Sequence, residues 1–488
     1  MRDQLGVALA SWQEGDGPLY RRLARALRAA IAEGAVPAGG RLPTERALAA
    51  RLHVSRSTVV AAYDELEEGG WVHRRQGSGT WVRRRSPARA FGKDLPGALG
   101  RTSASFRALI EGPGDAIEFT VAAVPAPELL ELEGVAEDAL KELQRATLDP
   151  GYVTAGYPPL RSALAEHLSA WGLPTTDREV IVTTGAQQGI ALVLELYVRR
   201  GDVVLVEDPT YLTTLDKLEA AGARVAPVPV GPDGVRADDV RAAAVEHEPC
   251  LAYLIPTFHN PTGTLVPESE RRAIATVAAE LQLPLVDDVT LADVPLAAPP
   301  PPPLAAFVPD APILTVGSLS KLFWGGLRVG FVRGPEPVIR RLARLKLLED
   351  HGSSVASQTL ALALLARADE QRSRRTALAR ERCAHLSALL ARHLPEWRWR
   401  EPAGGLCMWV RLPGADATAF AEVAARYGVT VVPGPMCSPT RAFGEYLRLP
   451  FVLPPDVLDE GVGRLAAAWD AYRSRTDDER SRRLHVVV

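Results

Sequence analysis

The chain has 488 residues, 47% of them apolar, too long for one ordinary domain and rich enough to bury a sizeable core. Its net charge of −3 excludes a chain that is basic throughout. Its four cysteines, Cys250, Cys383, Cys407 and Cys437, form no CxxC pair, which argues against a zinc site or disulfide framework and suits a reducing cytosol. Acids interrupt the first twenty residues where a signal peptide needs an apolar run, and no stretch of 18 apolar residues occurs. A cytoplasmic protein with no membrane span and no metal is therefore expected.

Charge is uneven along the chain. Between Pro18 and Arg85 there are 13 Arg, no Lys and six acids. That stretch carries +7, which leaves the remainder at −10. The asymmetry points to a basic module for an anionic partner, joined to a more acidic body. The segment LYRRLARALRAAIAEG has apolar residues at helical spacing and stops at Gly34. Thr44 is placed to cap a second helix, TERALAARL, with Ala47, Leu48 and Leu52 on one face. A third helix, SRSTVVAAYDELEEGG, ends at Gly69-Gly70, and WVHRRQGSGTWV reads as two short strands around a turn. Leu42, Leu48, Val54, Val59, Tyr63, Leu66, Trp71 and Val82 form the expected core. Helix, helix–turn–helix and hairpin together make a winged helix–turn–helix plan.

Within this plan, Ser55, Arg56, Ser57 and Thr58 open the third helix, where hydroxyls and free amides attract phosphate and Arg56 is long enough to reach a guanine edge. Arg41 and Arg46 suit backbone contacts, and Gln76 and Gly77 sit at the wing tip. The same arginines would also keep a small helical domain soluble. The whole stretch from PLYRRLARALRAAIAEG to the second strand resembles the GntR-type winged helix. The resemblance implies a dimer on a two-half-site double-stranded operator, with Arg41, Arg46, Ser55, Arg56, Ser57, Thr58 and Gly77 facing DNA.

From Arg84 to Asp115 periodicity is lost among scattered Gly, Pro and Ser, which reads as a linker. The expected domains are thus residues 1–83, a linker over 84–115 and a large domain over 116–488. In the large domain EVIVTTG, DVVLVEDP, RVAPVPV, CLAYLIPT, LPLVDD and PILTVGS read as buried strands separated by helical stretches. The pattern predicts a doubly wound α/β domain with a mostly parallel sheet. After Lys321 the pattern shifts to longer helices, then GGLCMWVRL and VTVVPG, a smaller α+β lobe.

Several loops between these elements carry chemistry. Lys321 lies in VGSLSKLFWGGLRVGF after a buried strand, with Ser318 and Ser320 before it and Arg328 seven residues later. Gly185, Ala186 and Gln187 open a helix after a strand, an anion site. Asp287 ends the strand LPLVDD, with Asp288 the neighbour that competes for its role. Asn260 lies in HNPTG, Tyr211 in EDPTYLTTL, Tyr152 and Gly156 in GYVTAGYPPLR, and Arg448 in EYLRLPFV. Taken singly, each also fits a turn, a cap, a core aromatic or a solvated charge. Together they match what pyridoxal phosphate requires. An amine bonds the aldehyde as an imine (Lys321), and a carboxylate pairs with the ring nitrogen (Asp287). A donor holds the phenolic oxygen (Asn260), and an aromatic covers the ring (Tyr211). Phosphate donors are Ser318, Ser320, Arg328 and the Gly185 turn, with Tyr152 offering a phenol. Arg448 suits a substrate or effector carboxylate.

The order of these motifs from Ile117 to Tyr472 resembles a fold-type-I, aspartate-aminotransferase-like domain. With the winged helix, the whole chain resembles the MocR subgroup of GntR regulators. The resemblance implies a homodimer in which Tyr152 serves the neighbouring subunit, and a response to pyridoxal phosphate itself or to an amino compound. An active aminotransferase with a residual DNA module is the other reading. Two departures stand out. Many relatives carry a Tyr after the strand-end Asp, where this chain has Val289 and Thr290, so Thr290 is the substitute near the cofactor oxygen. The stretch EFTVAAVPAPELL also lacks the FP-containing run of the family.

Overall fold

The computed structural model describes residues 9, 12, 17–32, 35, 36, 39–68, 71–75, 79–82, 114–123 and 134–485, with side chains to 474. The expected linker, all but its last two residues, lies outside these, as do Gln76, Gly77 and the Gly69-Gly70 stop. Contacts divide the chain into two units, Met1–Ala98 and Leu99–Val488.

In the first unit, α1 (Leu19–Ala32), α2 (Glu45–Leu52) and α3 (Arg56–Glu68) precede a hairpin of β1 (Val72–Arg75) and β2 (Gly79–Val82). The strands pair antiparallel with Val72 opposite Val82. Thr44 caps α2 as expected, its hydroxyl accepting from the Ala47 amide at 3.3 Å. Ser55 is the cap of α3 and not its first residue, since its hydroxyl accepts from the Thr58 amide at 3.2 Å. Leu23, Leu27, Leu48, Val59, Tyr63, Leu66, Val72 and Val82 fill the core, with Val54 and Trp71 packed at its edge. The Tyr63 hydroxyl, inside that core, donates to the Pro43 carbonyl at 2.8 Å, which satisfies its one polar atom.

Among the described residues, the first strand of the second unit is β3 (Ile117–Phe119), and α4 (Val135–Ala146) and α5 (Pro158–Ala170) precede a large sheet. Its strands are β4 (Val180–Thr183), β5 (Val203–Asp208), β6 (Arg224–Gly231), β7 (Gly234–Val235), β8 (Leu251–Leu254), β9 (Leu285–Asp288), β10 (Ile313–Ser318) and β11 (Gly330–Arg333), in the order β4-β11-β10-β9-β8-β5-β6-β7. Strands β5, β6, β8, β9 and β10 pair parallel, while β11 runs antiparallel between β10 and β4. Most of these strands are buried along their whole length, because helices cover both faces. All six strands expected from sequence are present. The strand β11 was not expected.

A smaller lobe follows, built on β12 (Arg398–Trp399), β13 (Cys407–Arg411), β14 (Val429–Pro433) and β15 (Tyr446–Pro450) in the order β12-β13-β15-β14-β3. The fifth strand is β3, which pairs parallel to β14 with Phe119 beside Val431. Trp397, Phe420 and Trp469 meet edge-to-face in the core of this lobe, at centroid distances of 5.5–5.6 Å. Among the described residues no helix is long and apolar enough to cross a membrane.

Candidate cofactor and ligand site

The C-terminal ends of the parallel strands, where α/β sheets place their ligands, open into a cavity of about 570 Å³. One wall is the turn from β4 into the helix α6 (Ala186–Tyr197). Gly185 caps this helix at φ 107°, a left-handed conformation that favours glycine. A Cβ on Gly185 would also meet Arg328 Nη2 at 3.2 Å. Arg328 donates from Nη2 to the Thr184 carbonyl at 2.6 Å, which holds a guanidinium beside the first-turn amides of α6. The Ala186 and Gln187 amides among them have no partner inside the helix. Gly330 of β11 presses on the same turn: a Cβ there would lie 2.6 Å from Gly185 C and 2.7 Å from Ala186 N. Ser318 and Ser320, whose hydroxyls are 3.0 Å apart, complete a cluster of donors suited to a phosphate.

Lys321 lines the cavity and donates from Nζ to the Ala122 carbonyl at 2.7 Å. Burial pushes its pKa down to about 8, with the positive charges of Arg448, Arg375 and Arg328 adding to the effect. An amine so placed is far easier to neutralise than an ordinary lysine. Arg448 is 2% exposed. Its Nε donates to Asn260 Oδ1 at 2.9 Å and its Nη1 to the Thr120 carbonyl at 2.9 Å. Among the described residues, no carboxylate lies within ion-pair distance of Lys321, Arg328 or Arg448. Tyr211, Asn260 and Thr290 line the cavity as expected, and burial raises the Tyr211 pKa.

The strand-end carboxylate requires a correction. Side chains alternate along β9, and it is Asp288 that lines the cavity, not Asp287. Asp288 Oδ2 accepts from the Tyr253 hydroxyl at 2.6 Å and Oδ1 from the Thr290 amide at 2.9 Å. Burial raises its pKa against these hydrogen bonds. Asp287 points away from the cavity. It accepts from the Leu304 amide at 2.7 Å, and burial lifts its pKa to about 6 despite the positive charge of Arg271. Tyr152 also stands apart, 76% exposed and outside this cavity.

In the first unit Arg41, Arg46 and Arg56 are exposed, and Ser55 and Ser57 sit at the exposed N-terminus of α3. Arg56 Nη2 donates to Glu45 Oε2 at 3.1 Å, and Ser55 Oγ lies 2.8 Å from both Ser57 Oγ and Thr58 Oγ1. Arg41 lies against the hairpin, with its guanidinium 5.8 Å from the Trp81 ring centre.

Other lining residues were not anticipated from sequence. They include His259, Leu291, Cys407 and the stretch Val121–Ala123. His259 adjoins the singled-out Asn260, and its Nε2 is 3.5 Å from the buried Glu207. Cys407 carried a signal in its position after GGL, where a strand begins beside Arg448: Trp409 and Arg448 are cross-strand partners.

The residues fit pyridoxal phosphate. A desolvated amine, a buried carboxylate, an uncompensated buried guanidinium and a helix N-terminus with its own Arg converge on one cavity. Gln187 Oε1, at the cavity wall, is buried without a hydrogen-bond partner.

Comparison with known proteins agrees. The profile for aminotransferase class I and II matches residues 126–465, and that for bacterial regulatory proteins of the gntR family matches residues 19–82. The HTH-type transcriptional regulator YisV of Bacillus subtilis is 31% identical over 83% of this chain and 87% of its own. The probable rhizopine catabolism regulatory protein MocR of Rhizobium meliloti is 28% identical over 79% of this chain and 80% of its own. Among solved structures, the α-aminoadipate aminotransferase LysN of Thermus thermophilus, complexed with N-(5′-phosphopyridoxyl)-L-leucine, superposes with a TM-score of 0.70. It is 29% identical and covers 80% of this chain and 99% of its own.

Proposed function

Because the chain belongs to the class I and II aminotransferases and joins that domain to a gntR-type helix–turn–helix, as MocR-type regulators do, we propose that it is a DNA-binding transcriptional regulator that responds to an amino compound, or to pyridoxal phosphate itself, through the cavity around Lys321. The observation that carries this reading is the presence, in one chain, of an exposed arginine-bearing recognition helix and a furnished cofactor cavity. The domains are residues 1–83 and 116–488, with the linker at 84–115.

Bound in the cavity, pyridoxal phosphate supplies an aldehyde for a covalent bond and an electron-drawing ring. The chain's residues do the rest. Lys321 provides the amine, made easier to deprotonate by burial. Asp288 pairs with the ring nitrogen. Asn260 and Thr290 address the phenolic oxygen, and Tyr211 covers the ring. The amides of Ala186 and Gln187 at the Gly185 turn, with Ser318, Ser320 and Arg328, hold the phosphate. Arg448 takes the carboxylate of an amino compound. The exposed Tyr152 serves the neighbouring subunit of a homodimer, which matches a two-half-site operator. Arg41, Arg46, Arg56, Ser55, Ser57 and Thr58, with Gln76 and Gly77 of the wing, contact DNA. A ligand that binds two conformations unequally shifts the operator affinity by that inequality.

The test is an absorbance spectrum of purified protein with added cofactor, paired with anisotropy titration of an operator fragment from beside its own gene. A band in the near-visible range is expected in the wild type and absent in Lys321→Ala. Cofactor with amino compound should change the wild-type operator affinity at least about fivefold and leave that of Lys321→Ala unchanged. A colourless wild type, or an affinity indifferent to every addition, would refute the proposal.

A further inference from the structure

Four side chains lining the cavity carry a formal charge: Asp288, Lys321, Arg328 and Arg448. The reading above gives each a task, at the ring nitrogen, the aldehyde, the phosphate and a ligand carboxylate respectively. Resting on that reading, we infer that the amino compound recognised here is an α-amino acid with a neutral, apolar side chain.

The two ends of the ligand are fixed by charge. Arg448 is almost fully buried, and its partners are neutral, the oxygens of Asn260 and Thr120 and the Cys407 thiol, whose pKa burial raises, so its charge stays uncompensated until an anion arrives. Lys321 marks the amine end. The backbone from Thr120 to Ala122 spans the interval between these cations, because the Thr120 carbonyl meets Arg448 and the Ala122 carbonyl meets Lys321. A ligand reaching from one cation to the other lies along this stretch, against Val121, Ala122 and Ala123. Leu291 and Leu406 line the same cavity and pack with Ala122 into one apolar cluster. The wall offered to a side chain is therefore alkyl.

Within one subunit, the charges of the described lining weigh against the alternatives. Among the described lining residues no cation is left for a second carboxylate. The one carboxylate, Asp288, is already engaged by Tyr253 and Thr290, so none is left for a second ammonium. A charged side chain would lose hydration with nothing in exchange, whereas an alkyl one gains by leaving water.

The cofactor-loaded full-length protein decides the matter when titrated with L-leucine, L-methionine, L-glutamate and L-lysine. Binding is read both by the cofactor absorbance and by calorimetry. Leucine and methionine are expected to bind at least about tenfold tighter than glutamate or lysine. Placing a cation on the alkyl wall, Ala123→Arg, is expected to erode the preference for leucine over glutamate by about tenfold. Glutamate or lysine binding as tightly as leucine to the wild type overturns the inference and leaves the cofactor reading standing. Failure of all four to bind a protein that shows its band does the same. A wild type that never develops the band sinks the earlier reading, and this inference with it.

Discussion

The Asp288 carboxyl is clasped by the Tyr253 hydroxyl and the Thr290 amide, yet burial still raises its pKa. A cation brought to it, such as a protonated ring nitrogen, therefore does most to keep it ionised. Replacement by Asn keeps the shape and removes the charge. Asp288→Asn is expected to weaken pyridoxal phosphate binding about 10- to 100-fold, in line with the 1.5–3 kcal/mol of a charge-assisted hydrogen bond. Asp287→Asn is expected to leave cofactor affinity within about threefold and to lower the melting temperature instead, because Arg271 then loses its nearest negative charge. Fluorescence titration and thermal melts separate the two. This pair also marks how far sequence carries the site. Lys321, Arg328, Asn260, Tyr211 and Arg448 were legible from motif and order. Which Asp faces inward depends on the phase of β9, and a strand buried on both faces hides that phase, because LVDD shows no polar–apolar alternation. Thr290 was legible as a departure, whereas Leu291 was hidden as one apolar residue among many.

Gly330 shows how an element shapes the site from outside its own loop. It begins β11, the strand wedged antiparallel between β10 and β4, and its missing side chain lets the backbone come against the Gly185 turn. Gly330→Ala puts a methyl within bonding-clash distance of backbone, where nothing flexible can yield. The expected result is a loss of about 1–3 kcal/mol of stability, seen as a lower melting temperature. Phosphate affinity should fall with it, because the helix N-terminus that Arg328 accompanies must shift. A melt and inorganic phosphate competition against the cofactor both read this out, and unchanged values in both would refute it. The strand itself escaped the sequence reading because GFVR is four residues long and follows a glycine-rich turn. The five-stranded sheet was only half legible for a different reason. Its member β3 pairs with β14, some 310 residues further along the chain, and no local pattern announces a partner that distant.

At the scale of the whole molecule, the two-unit plan and the families of both units were readable from charge asymmetry and motif order, because each motif demands a particular strand–turn–helix setting. What sequence left out is the path of the chain between β3 and the cavity. Directly after β3, Thr120 and Ala122 give their carbonyls to Arg448 and Lys321. An amine that bonds an aldehyde must let go of Ala122, and a guanidinium that turns to an incoming anion loosens its grip on Thr120. Occupancy of the cavity would thus be felt first by residues 120–123, directly after β3. Two moorings of the same short segment would slip at once. Amide exchange over residues 120–123 should quicken several-fold when cofactor and an amino acid are added, and stay at its resting rate in Lys321→Ala. A rate unmoved in the wild type would mean that these moorings hold whatever the cavity contains.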